Sequence, residues 1–218
     1  MSQLLPGAAL LLASYLLGAV PFGLIIVRLV SGKDLRQVES GRTGGTNAMR
    51  AAGFWAGLAT ALMDIAKGAC SAWAAQRLLP GLPWLHVLAP AAAILGHNYS
   101  VFLAERDPQG RLRLRGGAGG ATAVGGAAGL WLPSLLFTIP VGVAFLFGVG
   151  YASLATMSAP VTSIVLFAYR AYHGLAPWQY VFYGVISEAL LVWALRPNIQ
   201  RLIQGRERLV GWRAKKQA

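Results

Sequence analysis

One cysteine and a shortage of charged side chains set the first limits on this chain of 218 residues. A lone thiol, Cys70, excludes an intrachain disulfide and any multi-cysteine metal site, so it is expected to pack as a small apolar residue. Charged residues are 12% of the chain and hydrophobic ones 56%, too little polar surface to clothe a soluble domain of this size. Acidic groups are the scarcest: 7 Asp and Glu face 19 Lys and Arg, a formal net charge of +12. The N-terminus lacks a basic leader and a persuasive cleavage site, so its apolar stretch reads as a retained span rather than a signal peptide.

What the chain has in place of charge is long apolar runs, with a mean hydropathy of +0.56. They lie at about 4–30, 52–79, 84–103, 122–172 and 176–195. The fourth is too long for one helix, since a bilayer-crossing helix takes roughly 20 residues. Basic residues gather in 28–50, in 106–115 and from Arg196 to Lys216. If all three segments are cytoplasmic, an even number of spans separates each from the next. Four short spans then fit 122–195, with breaks near Trp131-Leu-Pro133, Gly148-Val-Gly150 and His173 to Pro177. The reading is an all-α integral membrane protein of about seven transmembrane helices, N-terminus outside and C-terminus cytoplasmic. Residues 1–218 form a single membrane-embedded domain with a basic tail at 196–218. The same basic segments have no aromatic stacking platform between them, which argues against nucleic acid and for anionic lipid headgroups.

Three polar segments fall on the cytoplasmic side of this scheme. The first, Ser40-Gly-Arg-Thr-Gly-Gly-Thr-Asn-Ala-Met-Arg50, offers bendable backbone, hydroxyls and a guanidinium, which suits a phosphate. The second, Arg115-Gly-Gly-Ala-Gly-Gly-Ala-Thr122, runs into a span and presents N–H groups at a helix start; close helix packing is the alternative reading. It matches neither the Walker A nor the dinucleotide pattern. The third is Arg196-Pro-Asn-Ile-Gln-Arg201, followed by Gly205-Arg-Glu207. Asp64 and Lys67 share a helix face within a span, where charges are costly unless paired, so they read as a supporting pair. Gly125 and Gly129, four apart, read as a close-packing face. His97 ends the third apolar run, whereas His86 and His173 lie toward the other side, so no metal site is expected. No histidine is followed by aspartate five positions later, which removes the simplest charge-relay motif for acyl transfer.

Taken together, these segments resemble the PlsY family, bacterial membrane glycerol-3-phosphate acyltransferases that use acyl phosphate. The anchors are Ser14-Tyr-Leu-Leu-Gly-Ala-Val-Pro-Phe-Gly23, the Ser40 to Arg50 segment, Asp64-Ile-Ala-Lys-Gly68, Gly96-His97, the Arg115 to Thr122 loop, and Asn198-Ile-Gln-Arg-Leu202 with Gly205 and Glu207. The resemblance implies transfer of a fatty acyl group onto the 1-hydroxyl of glycerol 3-phosphate, giving lysophosphatidic acid and phosphate for phospholipid biosynthesis. It implies no cofactor and no metal, membrane lipids as surroundings, no obligatory protein partner, and an active site facing the cytoplasm of a bacterial inner membrane. It gives catalytic roles to Ser40, as a hydrogen-bonding hydroxyl, and to Arg50, as a phosphate holder. Gly116, Gly117, Gly119 and Asn198 match phosphate-binding positions, Arg115 adjoins them, and Asn47, Asp64, Lys67 and His97 support them.

Two positions depart from the family pattern. Ala118 stands where a lysine is usual, and Leu195 where a histidine is usual; Arg115, Arg196 and Arg201 are the replacements open to consideration. A polar insertion, Ala104-Glu-Arg-Asp-Pro-Gln-Gly-Arg-Leu-Arg113, lengthens the loop before the second motif. These departures leave an alternative, a non-catalytic relative that binds lipid phosphates or regulates phospholipid metabolism. A transporter of small organic anions, suggested by Asp64 and Lys67, fits less well because the polar clusters gather on one side.

Overall fold

The computed structural model describes residues 3–210. Of the basic segment expected over 196–218, residues 211–218 lie outside the described residues. The chain is mostly helical. α1 (Leu4–Ala19) and α2 (Phe22–Ser31) are separated at Val20–Pro21, where Pro21 ends an apolar run that composition alone reads as continuous. A short helix, α3 (Gly45–Ala52), precedes the long α4 (Phe54–Leu78), and α5 (Pro83–Asn98) starts with proline in its first turn. Then come α6 (Gly120–Leu130), α7 (Leu135–Ala144), α8 (Ala152–Tyr172) and α9 (Gln179–Ile203). The breaks around Trp131, Gly150 and His173 to Pro177 fall where the sequence places them, so 122–195 holds four helices.

The span count needs correcting. Three segments among the described residues are long and apolar enough to cross a membrane: Leu4–Ser31, Leu132–Val149 and Ala152–Tyr172, not seven. The reason is composition and length. α4 carries Asp64, Lys67 and Arg77, and α9 carries Glu188, Arg196 and Arg201, while α5 has 16 residues and α6 only 11. These helices pack against one another rather than presenting uniformly apolar surfaces. Large apolar side chains cover the outside, on α4 as elsewhere, with Trp55 77% and Leu136 74% exposed. Cys70 is also on that outside, exposed on α4, and is not the packed residue expected.

The all-α expectation needs a second correction. The polar insertion folds as an antiparallel hairpin of β1 (Ser100–Arg106) and β2 (Leu112–Arg115), with Glu105 opposite Arg113 and Arg106 opposite Leu112. Its turn is closed by Asp107, whose Oδ1 accepts from the backbone N–H groups of Gln109 and Arg111 at 3.0 and 2.9 Å, and by Gly110 at φ +76°. The alternating Arg111-Leu-Arg-Leu-Arg115 is a period-two pattern suited to a strand.

Close helix contact builds the frame beneath the site. A Cβ on Gly125 would strike the Ile65 carbonyl, and one on Gly129 would lie 2.7 Å from the Ala69 carbonyl oxygen, so α6 lies directly against α4. The core beside it gathers Ile94, Ala123, Ala127, Phe167, Tyr183 and Leu191 from α5, α6, α8 and α9. Tyr183 is fully buried, and its hydroxyl donates to the Ala123 carbonyl at 2.7 Å.

Candidate active site

The three polar segments meet at one end of the helical assembly. The first two surround a cavity of about 210 Å³ whose wall includes Ser40, Gly41 and Arg42 from the first segment and Arg115, Gly116 and Gly117 from the second, while the third joins it through the Arg42–Asn198 hydrogen bond. Asn98 and Tyr99, at the end of α5, and Ala194 on α9 complete it. The N–H of Thr43 donates to the Gly116 carbonyl at 3.4 Å and ties the first two segments together.

Asn47 shapes the loop that carries Ser40. It is buried, and its Nδ2 donates to the carbonyls of Val38 and Arg42 at 2.9 Å and of Leu35 at 3.3 Å. Glu39 and Gly41 both have positive φ within this turn, which leaves Ser40 exposed at the cavity edge. The Ser40 Oγ accepts from the Arg42 N–H at 3.4 Å. An outer chain of ion pairs braces the same loop: Arg36 holds Asp34 at 2.7 Å and Glu105 at 3.0 Å, and Glu105 holds Arg115 at 3.0 Å. The Arg36 hydrogen bonds hold the Asp34 carboxyl at about 2, well below the usual carboxylate range.

Two glycines of the second segment, Gly116 and Gly117, are required by His97. A Cβ on Gly116 would collide with the His97 carbonyl, and one on Gly117 with the imidazole Nε2. Gly117 also donates its N–H to the His97 carbonyl at 2.9 Å, so that donor faces the frame rather than the cavity. Gly119, at φ +85°, turns the chain into α6. The segment then enters α6, whose first N–H groups are the positive end of that helix.

Beneath the loop sits a buried polar cluster. Lys67 Nζ is 2.9 Å from Asp64 Oδ1 and 2.8 Å from His97 Nδ1, and it reaches the Val20 carbonyl at 3.3 Å. All three side chains are buried. The cluster joins α4 to α5 and to the break between α1 and α2. His86 is elsewhere, bonded to Tyr180 and to the Leu79 carbonyl.

Not every expected site residue reaches the cavity. Arg50 is exposed in the last turn of α3 and is not part of the cavity wall. Asn198 has both ends of its amide engaged: Oδ1 accepts from Arg42 Nη2 at 3.0 Å, and Nδ2 donates to Glu207 Oε1 at 2.7 Å. Arg201 is committed to Glu207 at 3.2 Å, and Arg196 stacks over Trp193. Arg42, Asn98 and Tyr99 were not singled out from sequence, although Arg42 lies inside the first motif and the other two follow His97. A larger apolar groove of about 640 Å³, walled by Trp131, Phe137, Tyr169 and Arg170, lies at the opposite end of α6 from the polar segments.

Comparison with known proteins gives one consistent answer. Residues 8–205 match the family described as glycerol-3-phosphate acyltransferase. The chain is 36% identical over 201 residues to the glycerol-3-phosphate acyltransferase of Myxococcus xanthus, covering 92% of this chain and 98% of that one. It is also 36% identical over 205 residues to a glycerol-3-phosphate acyltransferase of Thermus thermophilus, covering 94% and 95%. Among solved structures, it is similar to the crystal structure of PlsY, an integral membrane glycerol 3-phosphate acyltransferase, in its glycerol 3-phosphate form. That match has a TM-score of 0.80 and 32% identity, over 94% of this chain and 96% of that one. The lysophosphatidic acid form of PlsY matches with a TM-score of 0.77 and 31% identity. Apolar helices, ordered motifs and a shared structure over nearly the whole chain agree, and the protein belongs to the PlsY family of integral membrane glycerol-3-phosphate acyltransferases.

Proposed function

We propose that this protein transfers a fatty acyl group from acyl phosphate to the 1-hydroxyl of glycerol 3-phosphate, at the cavity between the Ser40 and Gly116 loops. The observation that carries this reading is the meeting of those two loops at one polar cavity in a chain otherwise covered by apolar side chains. The acyl donor is already activated, so the protein's work is to position two phosphorylated molecules and stabilise developing charge. The attacking hydroxyl oxygen forms a bond to the acyl carbon as the bond from that carbon to the phosphate oxygen breaks. The hydroxyl proton leaves with the departing phosphate, and no protein base is required. Ser40 serves as a hydrogen-bonding hydroxyl at the cavity edge, and the Gly116–Gly117 backbone forms the facing loop. Arg50, on the neighbouring helix, is assigned to phosphate by its position in the motif.

The site faces the cytoplasm of a bacterial inner membrane in this reading, with the N-terminus on the opposite side. Its support is the gathering of basic residues from the Arg36, Arg115 and Arg201 segments around the same end, as positive-inside orientation requires. Residues 1–218 act as one membrane-embedded unit, with lipids as surroundings and no obligatory protein partner. The test is direct. Membranes containing the protein are expected to convert labelled glycerol 3-phosphate to lysophosphatidic acid only when acyl phosphate is supplied, with Ser40→Ala and Arg50→Ala sharply slower. Absence of donor-dependent product above empty membranes, with the protein shown to be folded, overturns the reading.

A further inference from the structure

Most arginines near the cavity are already engaged. Arg115 lines it but is paired with Glu105, Arg36 with Asp34 and Glu105, and Arg201 with Glu207, while Arg196 lies over an indole ring. Arg42 is different. Its Nη2 donates to two neutral acceptors, the Ala194 carbonyl at 2.8 Å and Asn198 Oδ1 at 3.0 Å. No carboxylate forms an ion pair with it among the described residues, and its Nε and Nη1 have no hydrogen-bond partner there. A half-buried guanidinium lining a cavity, with part of its donor fork free, calls for an anion with several acceptor oxygens.

Its anchoring also explains why it stays. The Asn198 amide is oriented by Glu207, which accepts from Nδ2, so the carbonyl end is turned toward Arg42. Asn198 is therefore a positioning residue, acting through Arg42. The second acceptor, the Ala194 carbonyl, lies one residue before Leu195 on α9, and Gly117, which also lines the cavity, comes one residue before Ala118. The guanidinium thus shares a cavity with the chain neighbours of both positions at which this chain has lost a polar or cationic side chain.

We infer that Arg42 is a second phosphate clamp of this protein beside Arg50, supplying from the first loop the positive charge that Ala118 and Leu195 do not. The inference rests on the acyl-transfer reading of the cavity and adds to it the residue that holds a phosphoryl group there. The group recognised is a phosphate monoester or an acyl phosphate. A clamp on the first loop also places the cation beside Ser40, two residues away in sequence and joined to it by the Arg42 N–H.

The test uses the full chain in detergent or membranes, with equilibrium binding of labelled glycerol 3-phosphate and steady-state kinetics on both substrates. Arg42→Gln keeps an N–H donor and removes the charge, and Arg42→Lys keeps the charge without the fork. Arg42→Gln is expected to lower kcat/KM by roughly a hundredfold or more, with Arg42→Lys intermediate. The substrate whose KM rises more identifies whose phosphate Arg42 holds. Adding Ala118→Lys to Arg42→Gln is expected to restore at least roughly tenfold, by returning a cation to the facing loop. Turnover that is indifferent to Arg42→Gln overturns the clamp and leaves the acyl-transfer reading standing. No turnover, but Arg42-dependent binding of glycerol 3-phosphate, overturns acyl transfer and leaves the clamp standing. Glycerol 3-phosphate binding that ignores Arg42→Gln, together with a KM for acyl phosphate that does not rise, overturns the clamp.

Discussion

Lys67 Nζ lies 2.8 Å from His97 Nδ1, so an ammonium group buried on α4 props the imidazole against which the glycine loop is packed. The pairing with Asp64 makes that position tolerable in an apolar setting. Removing one partner leaves the other charge buried and unpaired, which costs about 3–5 kcal/mol. Asp64→Ala is therefore expected to lower the thermal unfolding midpoint in detergent markedly. The double variant Asp64→Leu with Lys67→Met is expected to recover much of that loss, because an apolar pair needs no counter-charge. A double variant as unstable as Asp64→Ala alone would show that the cluster is not acting as a compensated pair.

Gly117 tests the contact above it. A methyl group there meets the His97 ring, and overpacking of this kind costs about 1–3 kcal/mol. Gly117→Ala is expected to shift the loop and slow acyl transfer by roughly tenfold or more. Gly148→Ala, whose added methyl meets open space, serves as the comparison and is expected to leave turnover unchanged. Equal activity in the two variants would remove the His97 contact as the reason for glycine at 117.

Much of this arrangement is legible in the chain, and the exceptions have physical causes. The breaks at Trp131-Leu-Pro133, Gly148-Val-Gly150 and His173 to Pro177 declare themselves because proline and glycine interrupt apolar runs locally. The spacing of Asp64 and Lys67 puts both on one face, and the ion pair at 2.9 Å follows. The hairpin is hidden because the charge of residues 104–113 outweighs the Leu–Arg alternation that begins within them at Arg111. Span number is overcounted because an apolar run does not show that α4 and α9 are interrupted by charges or that α5 and α6 are only 16 and 11 residues long. Arg42 is hidden for a different reason. Its partners Ala194 and Asn198 lie 152 and 156 residues away, so nothing local separates it from the other arginines.

Asn47 offers a test of loop order with little direct contact to the cavity. Its amide serves three carbonyls, and loss of such a buried donor costs about 1–3 kcal/mol. Asn47→Ala is expected to reduce turnover by loosening the Ser40 turn. Asn47→Asp is expected to be worse, because it aims a carboxylate at three carbonyl oxygens. Hydrogen exchange over residues 35–43 reads this directly: faster exchange in both variants is expected, and exchange unchanged from the parent protein would show that Asn47 does not hold the turn.

Orientation in the membrane can be read from the hairpin turn. Gln109 sits at the tip of an exposed turn closed by Asp107 and Gly110, and its side chain is not needed for that closure, since only its N–H is bonded. With Cys70→Ser to remove the native thiol, Gln109→Cys gives one reporter beside the site. If the basic segments are held on the cytoplasmic side, a membrane-impermeant maleimide should leave intact cells unlabelled and react only once the inner membrane is opened. The Arg36–Glu105–Arg115 ion pairs tie this hairpin to the Ser40 loop, so the hairpin and the cavity share one side of the membrane. Labelling of intact cells would therefore place both outside and reverse the orientation proposed for the site.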